Sequence, residues 1–191
     1  MTGIRLGFAM CGSFCTLGAA LGALRRLTAE YDVTPIMSET AYGTDTRFGK
    51  AADFISEAEK LCGKSVIHTI AGAEPIGPKG LLDLLVIAPA TGNTVSKMAA
   101  GITDTAVTMS AKAHLRNERP VVIAVSTNDA LSASAPALGT LLARKNIYFA
   151  PMYQDDTENK PASLVTDLGK LPETVGLALR GRQLQPLFAA R

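Results

Sequence analysis

The sequence predicts an α/β fold: a three-layer, doubly wound parallel sheet in a single domain. Three observations predict it. Short apolar, β-like runs alternate with segments of helical spacing along the chain. Two runs, LLVIA within Leu81–Ala90 and VVIAV within Arg119–Ser126, are apolar at successive positions, as strands covered on both faces must be. The 191 residues are 47% hydrophobic and 19% charged, which suits one domain with a sizeable core and excludes a disordered chain.

The elements follow in order. Ile4–Met10 reads as a buried strand. Phe14, Leu17, Leu21, Leu24 and Leu27 then recur at threes and fours, the spacing of an amphipathic helix. Tyr31–Met37 is a second strand, weakened by Pro35. The next helix is predicted over Thr44–Cys62, stopped by Gly63. Ser65–Ile70 reads as a short third strand, and the Gly- and Pro-dense Ala71–Gly80 as a loop. Leu81–Ala90 holds the most apolar strand. Helices are expected at Ser96–Ala100 and Ala106–Asn117, then a strand at Arg119–Ser126. A helix at Ala137–Lys145 and a last strand at Ile147–Pro151 complete the alternation. Residues 153–172 read as a polar segment, followed by a short helix and an apolar end at GRQLQPLF. No linker or repeat divides residues 1–191.

Composition excludes several function classes. A net charge of +2 with no basic run argues against a general nucleic-acid binder. No apolar run reaches the ~18 residues of a membrane span, and the start resembles no secretory signal, so a cytosolic protein is the expectation. Cys11 and Cys15 lie four apart and Cys62 alone, which is neither a disulfide framework nor a zinc pattern. No metal site is expected.

In doubly wound sheets, ligands sit outside the carboxyl ends of the strands, so the loops after the strands are the ones to read. After the first comes Cys11-Gly12-Ser13, running straight into a helix. Exposed N–H groups and the helix dipole make this an anion site, with Gly12 allowing close approach and Ser13 adding a hydroxyl; alternatively Ser13 is a plain helix cap. Cys11 is read as a small residue of this turn. Neither the G-x-G-x-x-G fingerprint nor a P-loop is present. After the second strand, Ser38-Glu39-Thr40 brings hydroxyls, and Arg47 follows as a candidate clamp for a carboxylate or phosphate. After the fourth, APATGNTVSK offers Thr91, Gly92 and Asn93 to a flat ligand, with Lys97 four residues on. After the fifth, Asn128 and Asp129 stand at the strand end. Four strand ends thus carry small or amide-bearing polar loops. His68 is the one candidate base, although a histidine in an apolar strand is commonly a packed one; His114 is read as a surface residue.

The strand–Gly-Ser–helix start and P-A-T-G-N-T at Pro89–Thr94 resemble the flavoprotein family of homo-oligomeric FMN-containing cysteine decarboxylases, which carry P-A-S-A-N-T there. Those decarboxylases also carry P-x-M-N-x-x-M-W. Here the corresponding place reads STNDALSAS: Asn128 is kept, Met-Trp is absent, and the chain has no tryptophan. This departure argues against cysteine decarboxylation. A fuller set of motifs is similar to those of the dipicolinate synthase B subunits within that family: TRFGK, AEPIGPKGLLD, KMAAGITDTAVTMSAKAHLRN, STNDAL, KPASLV and GRQLQPLF. That resemblance implies an oxidoreductase subunit of a spore-forming bacterium, in the cytoplasm of the mother cell. It implies a partner A subunit carrying NADP, and oxidation of a dihydrodipicolinate-level intermediate to dipicolinate (pyridine-2,6-dicarboxylate). It further implies FMN held between subunits of a trimer or a multiple of it, with Gly12, Ser13, Ser38 and Thr40 at the phosphate. Thr91, Gly92, Asn93 and Asn128 would then be at the isoalloxazine, with Arg47 and Lys97 at the substrate carboxylates. Two alternatives remain open: a substrate-binding or assembly role with the redox chemistry left to the A subunit, and an FMN-dependent decarboxylase of another substrate.

Overall fold

Every buried strand of this chain has to place apolar groups on two faces, and the result is a sheet with helices on both sides. The computed structural model describes residues 3–189. The order is β1 (Arg5–Met10), α1 (Phe14–Thr28), β2 (Asp32–Met37), α2 (Glu39–Gly43), α3 (Ala51–Cys62), α4 (Ile70–Ala73), β3 (Leu84–Ala90), α5 (Gly92–Ala100), α6 (Ala106–Leu115), β4 (Val121–Thr127), α7 (Ala135–Leu142), β5 (Ile147–Phe149), β6 (Met152–Tyr153), β7 (Leu164–Thr166) and α8 (Leu171–Ala178). Strands β2-β1-β3-β4 run parallel in that spatial order. The chain leaves β1 toward β2 and then crosses back to β3, so the strand order reverses between β1 and β3. That switch point opens a crevice at the strand carboxyl ends.

Alternation along the strands divides the core. Leu6, Phe8 and Met10 face one side, with Leu17 and Leu24 of α1 and Val175 of α8. Ala9, Leu85 and Ile87 face the other, with Val95 of α5, Val107 of α6 and Leu141 of α7.

Four expectations are corrected. The helix expected over Thr44–Cys62 begins only at Ala51 as α3; Thr44 to Lys50 form a loop, and a separate short helix, α2, precedes it. The loop closes on reciprocal bonds between Thr46 and Gly49 (3.0 and 3.1 Å), and the Asp45 carboxylate accepts the Ala51 N–H (2.8 Å), so a side chain starts α3 only after Lys50. The strand at Ser65–Ile70 is a single bridge of Ile67 to Ile36; Thr69 already caps α4 by accepting from the Gly72 N–H. The Ala71–Gly80 loop therefore contains the end of α4 and a 3₁₀ turn at Glu74–Ile76. The sheet, expected to be parallel throughout, is mixed at one edge. β4 pairs with β5 in parallel over Val121–Ile123, then with β7 antiparallel at Ser126 and Thr127, and β6 pairs with β7. The polar segment thus supplies two strands.

His114 is a further correction: it is buried, not on the surface. Removal from water, and then the Arg119 charge, push its imidazole down to about 4, while backbone groups of Pro120 and Asp83 work the other way. Its Nε2 has no hydrogen-bond partner among the described residues.

Candidate functional site

The helix α1 begins at the switch point, and its cap is unusual. Ser13 stands at the N-cap position but makes no side-chain cap bond. Its hydroxyl instead meets Ser126 at 2.9 Å and Thr16 at 3.2 Å, and Thr16 meets Ser126 at 2.8 Å. Three hydroxyls from α1 and the end of β4 close a triangle beside a helix N-terminus, where the Thr16 N–H donates to the Ser13 carbonyl (2.9 Å). Gly12 precedes it. A Cβ there would meet the Thr40 methyl at 3.1 Å, so Thr40 packs directly on this turn.

These groups line a cleft of about 790 Å³, inside the ~300–1,000 Å³ range of small-molecule and cofactor sites. Gly12, Ser13, Thr91 and Asn128 lie on its wall. Residues 153–168 form the opposite wall, and Leu131 N–H donating to the Ala162 carbonyl (2.9 Å) ties that segment down. Among the described lining residues the ionisable side chains are Cys15, Tyr153, Asp155, Lys160 and Asp167, with no histidine. Burial works against ionisation of Asp155, yet the Ser163 hydroxyl (2.8 Å) and the Lys160 ammonium (3.1 Å) hold it below the usual carboxylate range. Thr166 is a lining residue whose own hydroxyl is buried with no partner among the described residues.

Ser38 is buried and caps α2 by accepting from the Ala41 N–H. Thr91 caps α5, and Thr94 behind it donates to the Cys11 thiol at 3.2 Å. Burial pushes that thiol up to about 11, so Cys11 stays protonated and serves as a small packed residue. Gly92 is buried, and a Cβ there would meet Asp129 and Ser134 oxygens at 2.5 Å, so its place is behind Thr91. Asn93 is exposed on the first turn of α5 and is not part of the cleft wall. Lys97 is bound to Asp104 at 2.8 Å. Arg47 stacks on Phe48, which does line the cleft. His68 is stacked on Tyr42, with ring centroids 3.7 Å apart and planes 6° from parallel, and is not a lining residue.

The Flavoprotein family profile matches residues 1–165 of this chain. The chain belongs to the Flavoprotein family. This flavoprotein-family chain is 45% identical over 189 residues to the B subunit of dipicolinate synthase from Bacillus subtilis (strain 168), a match covering 98% of the chain and 94% of the relative. The crystal structure of the dipicolinate synthase B subunit from Bacillus halodurans C superposes with a TM-score of 0.91 at 43% identity, over 100% of this chain and 98% of that one. The FMN-dependent cysteine decarboxylase SpaF superposes with a TM-score of 0.69 over 94% and 97% of the two chains; its 21% identity speaks for the fold alone. Among the described residues no helix is long and apolar enough to cross a membrane, and no cluster of His, Cys, Asp and Glu is placed to hold a metal ion.

Within this Flavoprotein-family cleft, sequence reading did not single out Thr16, Ser126, Tyr153, Asp155, Lys160 or Thr166. Thr16 had a usable signal: it lies three residues after Ser13, on the same helix face. Ser126 also had one, as a hydroxyl at the carboxyl end of an expected strand; the other four carried none, because their place depends on how residues 152–166 return antiparallel beside β4.

Proposed function

We propose that this chain is the B subunit of a dipicolinate synthase, binding FMN in the strand-end cleft and acting with an A subunit that carries NADP. The reading follows from the full-length relatedness to dipicolinate synthase B subunits, and one observation carries the cofactor part of it. The start of α1 presents Gly12, the helix N-terminus and the Ser13–Thr16–Ser126 hydroxyls to a cleft of about 790 Å³. That is the chemistry of a phosphate cradle. The orphaned hydroxyl of Thr166 in the cleft wall also fits a site completed by a ligand.

Oxidation of a dihydro-ring dicarboxylate to pyridine-2,6-dicarboxylate removes a hydride and a proton, the hydride passing finally to NADP. FMN, when bound, supplies a two-electron redox centre. The chain's own residues bind and orient. Gly12, Ser13, Thr16 and Ser126 hold the phosphate, flanked by Thr40, with Ser38 fixing the start of α2. Thr91 and Asn128 flank the ring system. Gly92 and Asn93 act from behind Thr91, Gly92 by giving Asp129 and Ser134 room. Arg47 meets a substrate carboxylate. Lys97 would have to leave Asp104 to join it. The working form is a homo-oligomer, a trimer or a multiple of it, in the cytoplasm of the mother cell; exposed Ile102, Leu131, Leu142 and Phe188 support self-association.

Titration of the purified chain with FMN, followed by flavin absorbance and fluorescence, tests the cofactor assignment. Saturable binding with a shifted spectrum is expected, lost in Ser13→Asp, where a carboxylate would face the phosphate. No binding well above cellular flavin concentrations removes FMN from the reading.

The absence of histidine from the cleft wall, among the described residues, favours a second reading. In it the chain orders the substrate, and the redox step belongs wholly to the A subunit. Dipicolinate formation by the A subunit with NADP, undiminished when its partner chain carries Ser13→Asp, would select it.

A further inference from the structure

Phe48 is the large apolar side chain of the cleft wall that remains 47% exposed. Its neighbour Arg47 places the guanidinium carbon 4.8 Å from the ring centroid, which covers one ring face and leaves the other. The tip bearing both is rigidly built. Thr46 and Gly49 exchange backbone bonds, the Phe48 N–H donates to the Thr46 hydroxyl (3.2 Å), and the Asp45 carboxylate anchors the Ala51 N–H beyond it. Gly49 has φ +148°, and a Cβ there would lie 2.8 Å from the Phe54 ring, so the tip sits directly on α3.

Charge points to the same tip. Lys160 on the opposite wall is neutralised by Asp155, and Lys97 by Asp104. Arg47 makes no ion pair among the described residues. A dianionic ligand that reaches Phe48 on the cleft wall therefore stands near an uncommitted cation, which lies over that ring.

We infer that the Arg47–Phe48 tip selects a flat aromatic dicarboxylate: the open face of Phe48 stacks on the ligand ring while Arg47 takes one carboxylate. The inference rests on the substrate class proposed above and adds the residue that distinguishes an aromatic ring from a saturated one. Phe48 is a specificity determinant in this assignment, and the tip favours the aromatised product state over a puckered ring of the same charge.

Calorimetric titration of the FMN-supplemented full chain with pyridine-2,6-dicarboxylate and with cis-cyclohexane-1,3-dicarboxylate, a puckered dianion, tests it. Wild type is expected to bind the aromatic acid about 3- to 10-fold more tightly. Phe48→Leu should erase that preference while still binding both, and Phe48→Tyr should keep it. Arg47→Ala should weaken both ligands alike, by about 10-fold, with partial recovery in Arg47→Lys. Unchanged selectivity in Phe48→Leu, or none in wild type, overturns the role of the tip and leaves the proposed function standing. Binding of neither acid by wild type overturns both. Phe48 is half exposed, so an unaltered unfolding temperature is expected and shows that the variants are folded.

Discussion

Ser13 serves two structures with one hydroxyl. In a closed triangle each of the three hydroxyls donates once and accepts once, so Ser13, Thr16 and Ser126 satisfy one another at 2.8–3.2 Å. An arriving anion lets each turn its proton outward, because the remaining lone pairs do not bind anions. The phosphate of FMN, and not its ring, would feel the loss of one member. Ser126→Ala is expected to weaken FMN about 3- to 10-fold, the worth of one hydrogen bond, and to leave riboflavin affinity unchanged. Parallel fluorescence titrations with the two flavins check this; equal loss for both would mean that Ser126 only packs. Residue chemistry also explains Cys11, which sits in the same turn yet is inert: burial keeps its proton on, and Thr94 occupies its sulfur.

At the scale of elements, the start of α5 depends on a missing side chain. Asp129 accepts from Thr127 (2.6 Å) and Ser134 (3.0 Å), and this polar cluster fills the space where residue 92 would carry a Cβ. Gly92→Ala would force apart two oxygens that are each held by a hydrogen bond. A destabilisation of about 1–3 kcal/mol is expected, read as a lower urea midpoint with an unchanged slope. The stretch between β2 and α3 shows the converse. Its composition permits a helix from Thr44 onward, but Asp45 and Thr46 use their side chains on nearby N–H groups. Local capping outcompetes the helix and leaves the Arg47–Phe48 tip projecting.

The whole molecule has a functional end and a structural end. The cleft occupies the carboxyl ends of the strands. At the opposite end Asp83 pairs with Arg5 at 2.8 Å and lies 3.6 Å from Arg119, and His114 is buried close by. The imidazole there titrates at about 4, against 6.5 in the unfolded chain. Between those values the unfolded state binds the extra proton, so stability rises with pH across that window. Above pH 6.5 the contribution is fully present, and it is lost as pH falls toward 4. Its size is about 2 kcal/mol between about pH 7 and pH 5. Urea unfolding of wild type and His114→Leu at these two pH values checks it: the variant should lack that part of the acid sensitivity. Equal pH slopes would assign the sensitivity to other groups.

The alternation of apolar runs with helical spacing was enough to determine the α/β class, the five parallel strands and the end of the sheet that carries ligands. Those features follow from local periodicity, and periodicity is written in the sequence. The Gly12-Ser13 turn was legible for the same reason, since a glycine and a hydroxyl between strand and helix state their geometry locally. The tertiary structure alone decided which hydroxyls meet: Ser126 lies 113 residues from Ser13 and pairs with it only through the sheet. It also decided that residues 152–166 add two antiparallel strands and wall the cleft, that Lys97 is spent on Asp104, and that His114, on an outwardly polar-looking helix, is buried. Each of these depends on contacts between segments distant in the chain, and no spacing within one segment encodes them.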